Sequence, residues 1–223
     1  MSKRVKENVK SVERGKEYPL SDAVKMLKEF TSAKFDETVE MVVNLKIDVT
    51  QADQQIRGSF SFPHGTGKSV RVIAIVDDGM AEEAKNAGAV EAGGQDLIER
   101  IEKGWFDFDV VVAHPSMMRF VGKLGRTLGP KGLMPSPKSG TVVTDVAQGI
   151  KDFSAGKIEY RNDRLGSIQV PVGKLSFSEA KLEDNIKSFF EHIMAIKPSG
   201  VKGTYVKSIF VSSTMSPGVK IAM

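Results

Sequence analysis

Between Thr38 and Asp48 apolar and polar residues alternate: Val39, Met41, Val43, Leu45 and Ile47 interleave with Thr38, Glu40, Asn44, Lys46 and Asp48, and only Val42 is out of phase. A period of two predicts a strand with one buried face and one open face. Upstream, Ala23, Val24, Met26, Leu27 and Phe30 fall on one face of a short amphipathic helix for which Ser21 is the expected N-cap. Helical spacing is clearest after Ser178, where Leu182, Ile186, Phe189, Phe190 and Ile193 form a stripe. Ser178 is placed to cap that helix, Phe177 and Leu182 to staple its entry, and Pro198 to stop it. Further strands are expected near Arg57–Phe62 and Thr204–Val211, and polar strands near Lys157–Arg161 and Ser167–Val172.

The middle of the chain has a different pattern. Val70–Val76 is a continuous apolar run of the kind buried on both faces in parallel sheets, and helix and strand patterns alternate after it. Helices are expected over Met80–Ala87, Gln95–Lys103, Ser116–Leu124 and Val146–Phe153, strands over Ala89–Ala92 and Val110–Ala113, and a loop over the Gly/Pro-rich stretch Gly125–Gly140. The ends therefore read as α+β and the middle as an α/β layer sandwich. Pattern alone leaves open whether the two ends form one domain with the middle inserted.

The 223 residues suit two modest domains better than one large one. With no cysteine, disulfides, thiolate metal sites and cysteine nucleophiles are excluded. No apolar run reaches the ~20 residues of a membrane span, and the N-terminus lacks the apolar core of a secretion signal, so the expectation is an unprocessed cytoplasmic protein with no membrane contact. The formal charge of +4 is small, but its distribution is uneven. Lys3, Arg4, Lys6, Lys10, Arg14 and Lys16 face only Glu7 and Glu13 in the first 16 residues, which accounts for the whole excess. Val110–Thr144 has no acidic residue but carries Arg119, Lys123, Arg126, Lys131 and Lys138, and His192–Met223 is acid-free with Lys197, Lys202, Lys207 and Lys220. Acid-poor basic stretches suit a polyanion, because cations displace phosphate counterions most effectively where no carboxylate repels the backbone. The competing reading is a solvated surface.

Catalytic signatures are lacking. Gly65-Thr66-Gly67-Lys68-Ser69 resembles the end of a phosphate-binding loop, but the glycine required five positions before Gly67 is Phe62, and the segment leads into a strand rather than a helix. His64, His114 and His192 are isolated, Asp36-Glu37 and Asp77-Asp78 are adjacent carboxylates, and there is no G-x-S-x-G elbow. No cofactor or metal site is expected. A nucleotide-dependent enzyme built on Lys68 and a pure protein-interaction module are the competing functional classes.

Several ordered segments carry a resemblance: Ala33-Lys34-Phe35-Asp36-Glu37-Thr38-Val39-Glu40, Pro63-His64-Gly65-Thr66-Gly67-Lys68, the run from Lys123 through Gly129-Pro130-Lys131-Gly132-Leu133-Met134-Pro135, Arg161-Asn162-Asp163, Asp184-Asn185-Ile186, Lys202-Gly203-Thr204 and Ser213-Thr214-Met215. From about Lys34 to Met215 the chain resembles the bacterial large-subunit ribosomal protein L-one family. The resemblance implies a nested fold, in which 1–65 and 157–223 form an RNA-binding α+β domain and 66–156 an inserted, Rossmann-like α/β domain. The implied hinge contains His64, Gly65, Gly67, Lys68 and Gly156.

The same resemblance implies a non-catalytic constituent of the large subunit, monomeric when free, that binds large-subunit rRNA in the mobile stalk beside the exit site. It implies contact with exit-site tRNA, help in releasing deacylated tRNA, and repression of the protein's own operon mRNA. The family's RNA-contacting motifs fall here on Lys34, Phe35, Thr38, Glu40, Ser213, Thr214, Met215 and Ser216, with Asp163, Arg164 and Ser208 as neighbours. Hydroxyls can bond 2′-hydroxyl groups, Phe and Met can pack on riboses or bases, and Lys and Arg can meet phosphates. Ser216 departs from the family glycine, and serine would add steric cost if a positive φ or a close backbone approach were required there. The basic N-terminal arm is assigned only a general electrostatic role.

Overall fold

The structure is a computed structural model, and it describes residues 3–13 and 15–222. Arg14, one of the basic-arm residues, lies outside the described residues. Along the chain the elements are α1 (Lys3–Lys10), β1 (Tyr18–Pro19), α2 (Leu20–Glu29), β2 (Thr38–Leu45), β3 (Arg57–Ser61), β4 (Val72–Ile75), α3 (Ala81–Asn86), β5 (Glu91–Gly93) and α4 (Gln95–Glu102). They continue with β6 (Val110–Ala113), α5 (Met118–Val121), α6 (Gly125–Leu128), α7 (Val146–Ser154), β7 (Lys157–Arg161), β8 (Ser167–Lys174), α8 (Glu179–Ala195), β9 (Val206–Ser213) and β10 (Val219–Ala222).

Contacts divide the chain into two compact units: Met1–Arg57, Phe62–Gly67 and Tyr160–Met223 in one, Gly58–Ser61 and Lys68–Glu159 in the other. Gly58–Ser61 belongs with the second because β3 pairs with β7 in a two-stranded sheet.

The terminal unit is a five-stranded sheet in the order β1-β10-β9-β2-β8, in which β2, between β9 and the edge strand β8, is antiparallel to both neighbours. Helices α2 and α8 contact each other and the strands, burying Leu20, Ala23, Val24, Leu27, Leu182, Ile186, Phe189 and Ile193. Alternation along β2 then decides the faces: Val39, Met41, Val43 and Leu45 are buried, while Thr38, Glu40, Val42 and Asn44 stand on the opposite face. The out-of-phase Val42 lies beside Phe210, so the open face carries a small apolar centre.

Two expectations at helix ends had different outcomes. Ser178 caps α8 as expected, its hydroxyl accepting from the Lys181 amide, although Phe190 is only half-buried. Ser21 does not cap α2. The helix begins at Leu20, because Tyr18–Pro19 pairs with Ile221–Ala222 and Pro19, at φ −55°, turns the strand straight into the helix.

The inserted unit has a parallel sheet in the order β5-β4-β6 with apolar clusters on both faces. Ile73, Ile75, Val111 and Ala113 face Leu97, Ile101, Val121 and Leu124, while Val72, Ala74 and Val112 face Ala84, Ile150 and Phe153. Burial on both sides explains the unbroken apolar run at β4. The helix expected over Ser116–Leu124 is broken into a 3-10 turn at Pro115–Met117, α5 and a second 3-10 turn at Gly122–Leu124. Gly125–Gly140, expected to be a loop, holds α6 and a further 3-10 turn at Pro137–Ser139. The hydroxyls of Ser136, Ser139 and Thr141 hold that turn, and Gly140 closes it at φ 65°.

Candidate nucleic-acid interface

One buried carboxylate organises the start of β2. Glu37 is 1% exposed and accepts hydrogen bonds from the Ala33 amide (2.6 Å), the Met215 amide (3.1 Å) and the Ser213 hydroxyl. Burial pushes its carboxyl pKa up, but the Ser213, Ala33 and Met215 hydrogen bonds and the charge of Arg4 outweigh that and hold it below its ordinary 4.5. The segment before β2 and the turn after β9 are thereby fastened together across 176 residues of sequence. Thr214 adds a second tie: its hydroxyl accepts from the Thr38 amide at 3.0 Å and lies 3.3 Å from the Thr38 carbonyl.

Around this clasp, Lys34, Phe35, Thr214 and Met215 are exposed, Phe35 by 54% and Met215 by 44%. Glu40 projects from the open face two residues beyond Thr38, and the Lys174 ammonium donates to the Thr38 hydroxyl at 2.8 Å. Ser213 supports this surface rather than forming it, since it is 6% exposed and its hydroxyl is given to Glu37. The backbone amide of Ser213 in turn donates to the Ser216 hydroxyl at 2.8 Å. No described non-glycine residue has a positive φ, so Ser216 bears no left-handed strain and its hydroxyl closes the turn. Ser216→Gly is accordingly expected to lower stability by about 1 kcal/mol in urea unfolding, through the lost hydrogen bond and a freer unfolded chain. A gain in stability would show that the serine is strained after all.

Ser208 sits six residues along β2 from Thr38, about 20 Å away at strand rise. It belongs to a polar ladder across three strands that the sequence did not reveal: the Asn44 amide donates to the Ser208 hydroxyl and the Ser167 hydroxyl to Asn44 Oδ1, both at 2.8 Å. Next to it, Asp163 Oδ1 accepts from the Leu165 and Ser167 amides, so Asp163 fixes the β7–β8 turn and presents Arg164 and the 84%-exposed Leu165. Open-face residues Val42, Gln169, Phe210 and Ser212 connect the two ends. Only cross-strand register, which requires the pairing partners to be known, could have identified Asn44, Ser167 and Phe210.

The N-terminal arm has a more definite role than general electrostatics. Asn8 of α1 is buried, donating to the Thr31 carbonyl and accepting from the Thr31 amide, while Arg4 donates to the Ser32 carbonyl. That docks α1 on the segment leading to Glu37.

In the terminal unit, the His64 amide donates to Asn185 Oδ1, the Asn185 amide group donates to the carbonyls of Gly65 and Val172, and a Cβ on Gly67 would lie 2.9 Å from Phe177. In the inserted unit, Gly156 turns at φ 110° from α7 into β7, and the Lys68 ammonium is held by Asp109 at 3.0 Å. That ion pair occupies the cation a phosphate loop would need free, and the following element is a strand. Asp77, Ser116 and His114 also come together, but the serine hydroxyl sits between carboxylate and imidazole. A nucleophile relay needs the imidazole in the middle, so these groups serve the turn after β6. Among the described residues no group of three potential ligands could hold a metal, and no helix is long and apolar enough to cross a membrane.

Comparison with known proteins agrees in extent and kind. A family profile described as the ribosomal protein L1p/L10e family matches residues 27–217. The chain is 52% identical to the large ribosomal subunit protein uL1 of Thermosipho melanesiensis over 221 residues, covering 99% of this chain and 95% of that protein. It is 50% identical to the protein of the same name from Thermosipho africanus, with the same coverage.

Proposed function

The chain belongs to the ribosomal protein L1p/L10e family, whose members are structural ribosomal proteins rather than enzymes, and on that footing we propose that the open face of its terminal unit binds folded large-subunit rRNA. The observation that carries this is the clasp at Glu37, which brings Lys34–Glu40 and Ser213–Ser216 onto one surface while leaving Phe35 and Met215 exposed. Large apolar side chains beside hydroxyls and lysines suit ribose and base packing with phosphate contact at the rim. Thr38, Thr214 and Ser208 supply hydroxyls, Lys34 and Arg164 supply charge, and Glu40 supplies an acceptor for 2′-hydroxyl or exocyclic amino groups. Ser213, Ser216 and Asp163 hold their neighbours in place.

A face fixed this way reads shape, so an mRNA fold presenting the same surface competes for it, and repression of the protein's own operon follows from that competition. Bound to the cytoplasmic ribosome, the monomeric protein forms the mobile stalk beside the exit site and assists departure of deacylated tRNA. The hinge for that motion is assigned to His64–Lys68 and Gly156.

Binding to an rRNA stalk fragment tests the reading. Log affinity is expected to fall with log salt at about 0.7 to 0.9 per phosphate neutralised. Met215→Asp and Thr214→Ala are each expected to weaken binding by roughly 1–3 kcal/mol. Wild-type affinity in both, with folding confirmed, would remove the face from the proposal, and absence of the protein from sedimented large subunits at low salt would remove the ribosomal role.

A further inference from the structure

We propose that the inserted unit carries a second RNA surface, a ridge of Arg119, Lys123 and Arg126 on the α5–α6 segment that takes the phosphate backbone of an RNA duplex without reading its sequence. Two independent sets of observations support it, and neither involves the terminal unit's face.

The cations come first. Arg119, Lys123 and Arg126 are spaced i, i+4 and i+7, and all three are exposed, while Val121, Leu124 and Leu128 of the same segment are buried in the core. None of the three has a carboxylate within ion-pairing distance among the described residues, in contrast to Lys68, Arg71 and Arg100 of the same unit, which are all paired. Phe120, 37% exposed, stands beside the ridge and offers an aromatic face to a ribose or base.

Backbone exposure is the second observation. Gly122 and Gly125 have ordinary helical backbone angles, φ −53° and −56°, and a Cβ built on either meets nothing within 4 Å. Alanine would fit both positions and favour the helix more, so folding gives no reason for glycine. Gly129 and Gly132 differ: a Cβ on Gly129 would lie 2.5 Å from the Gly125 carbonyl, and Gly132 has φ +72°. The bare backbone at Gly122, among three unpaired cations, gives a phosphate or ribose room for close approach. An acidic protein partner would need the charges but not the missing Cβ, which is why RNA is the partner proposed.

The test uses the full-length chain and a 20-base-pair RNA duplex of arbitrary sequence. The triple variant Arg119→Gln, Lys123→Gln, Arg126→Gln is expected to bind the duplex at least about tenfold more weakly at low salt, with a log–log salt slope shallower by about two to three. Gly122→Ala is expected to raise Tm while weakening duplex binding several-fold, a pairing of effects that a purely structural glycine would not give. Unchanged affinity and slope in the triple variant would overturn the proposal, as would full-strength duplex binding by Gly122→Ala. Equal competition from polyglutamate of matched charge would also overturn it, in favour of an acidic protein. Met215→Asp, run alongside, should leave duplex binding intact. If instead it fails to weaken the rRNA fragment, the terminal-face reading fails and this one stands.

Discussion

Glu37→Ala is expected to destabilise the terminal unit by about 3–5 kcal/mol and to lower rRNA affinity by more than any change on the exposed surface. The estimate follows from what the side chain leaves behind. Two backbone amides and one hydroxyl donate to a carboxylate that is 1% exposed, and hydrogen bonds to a charged group are worth about 1.5–3 kcal/mol each. Some of that is recovered as water reaches the Ala33 and Met215 amides, which keeps the total below the simple sum. Glu37→Gln separates charge from shape: its amide presents donors to donors, so most of the loss should persist although the volume is kept. The pH response has a definite sign. Because the folded-state pKa is depressed below its ordinary 4.5, the stabilisation is complete above that value and is lost as pH falls through the folded pKa. The gap in urea midpoint between wild type and Glu37→Gln should therefore narrow as the pH is taken from 7 into the acid range below 4.5. Parallel curves would mean that the carboxylate is not what holds the clasp.

This dependence on Glu37 illustrates what the sequence could and could not disclose. A period of two from Thr38 and a capped apolar stripe in α8 are local signals with local causes, and both elements form, although the strand stops at Leu45 and leaves Lys46–Asp48 of the alternating run outside it. The short strands β1 and β10 carry no such signal, because two to four residues cannot establish a period, and they exist through pairing with each other and with β9. Ser21 misled for a related reason. A serine before an apolar stripe is a sound capping signal, but strand pairing at Tyr18–Pro19 fixed the helix start earlier. For the candidate face, the resemblance identified Phe35, Thr214 and Met215 by motif, yet Glu37 passed as one of two adjacent surface carboxylates. Its importance comes from donors 176 and 178 residues away, a relation that periodicity and spacing do not encode. Asn44, Ser167 and Phe210 were hidden in the same way, since register alone sets them side by side.

Asn185→Leu, the second large effect, is expected to cost about 3–5 kcal/mol although it keeps the branched shape of the side chain and puts an apolar group on an apolar helix face. Asn185 is 0% exposed within the stripe of Leu182, Ile186 and Phe189, where packing alone would favour leucine. Its amide bonds the Val172 carbonyl at 2.7 Å and the Gly65 carbonyl at 3.0 Å, and its oxygen accepts from the His64 amide at 3.3 Å. Leucine gains apolar burial worth about 2 kcal/mol but orphans three backbone groups at about 1–3 kcal/mol each, so the polar loss wins. Asn185→Asp should be worse at neutral pH, because a carboxylate would face two carbonyl oxygens with no proton to share. His64→Ala, by contrast, retains the backbone amide and removes only an exposed pairing with Asp184, and should cost less than about 1 kcal/mol. The three variants together locate what fixes the Phe62–Gly67 loop to its own unit. Amide exchange at His64 should accelerate in Asn185→Leu and stay slow in His64→Ala, and the reverse order would assign the hold to the imidazole instead.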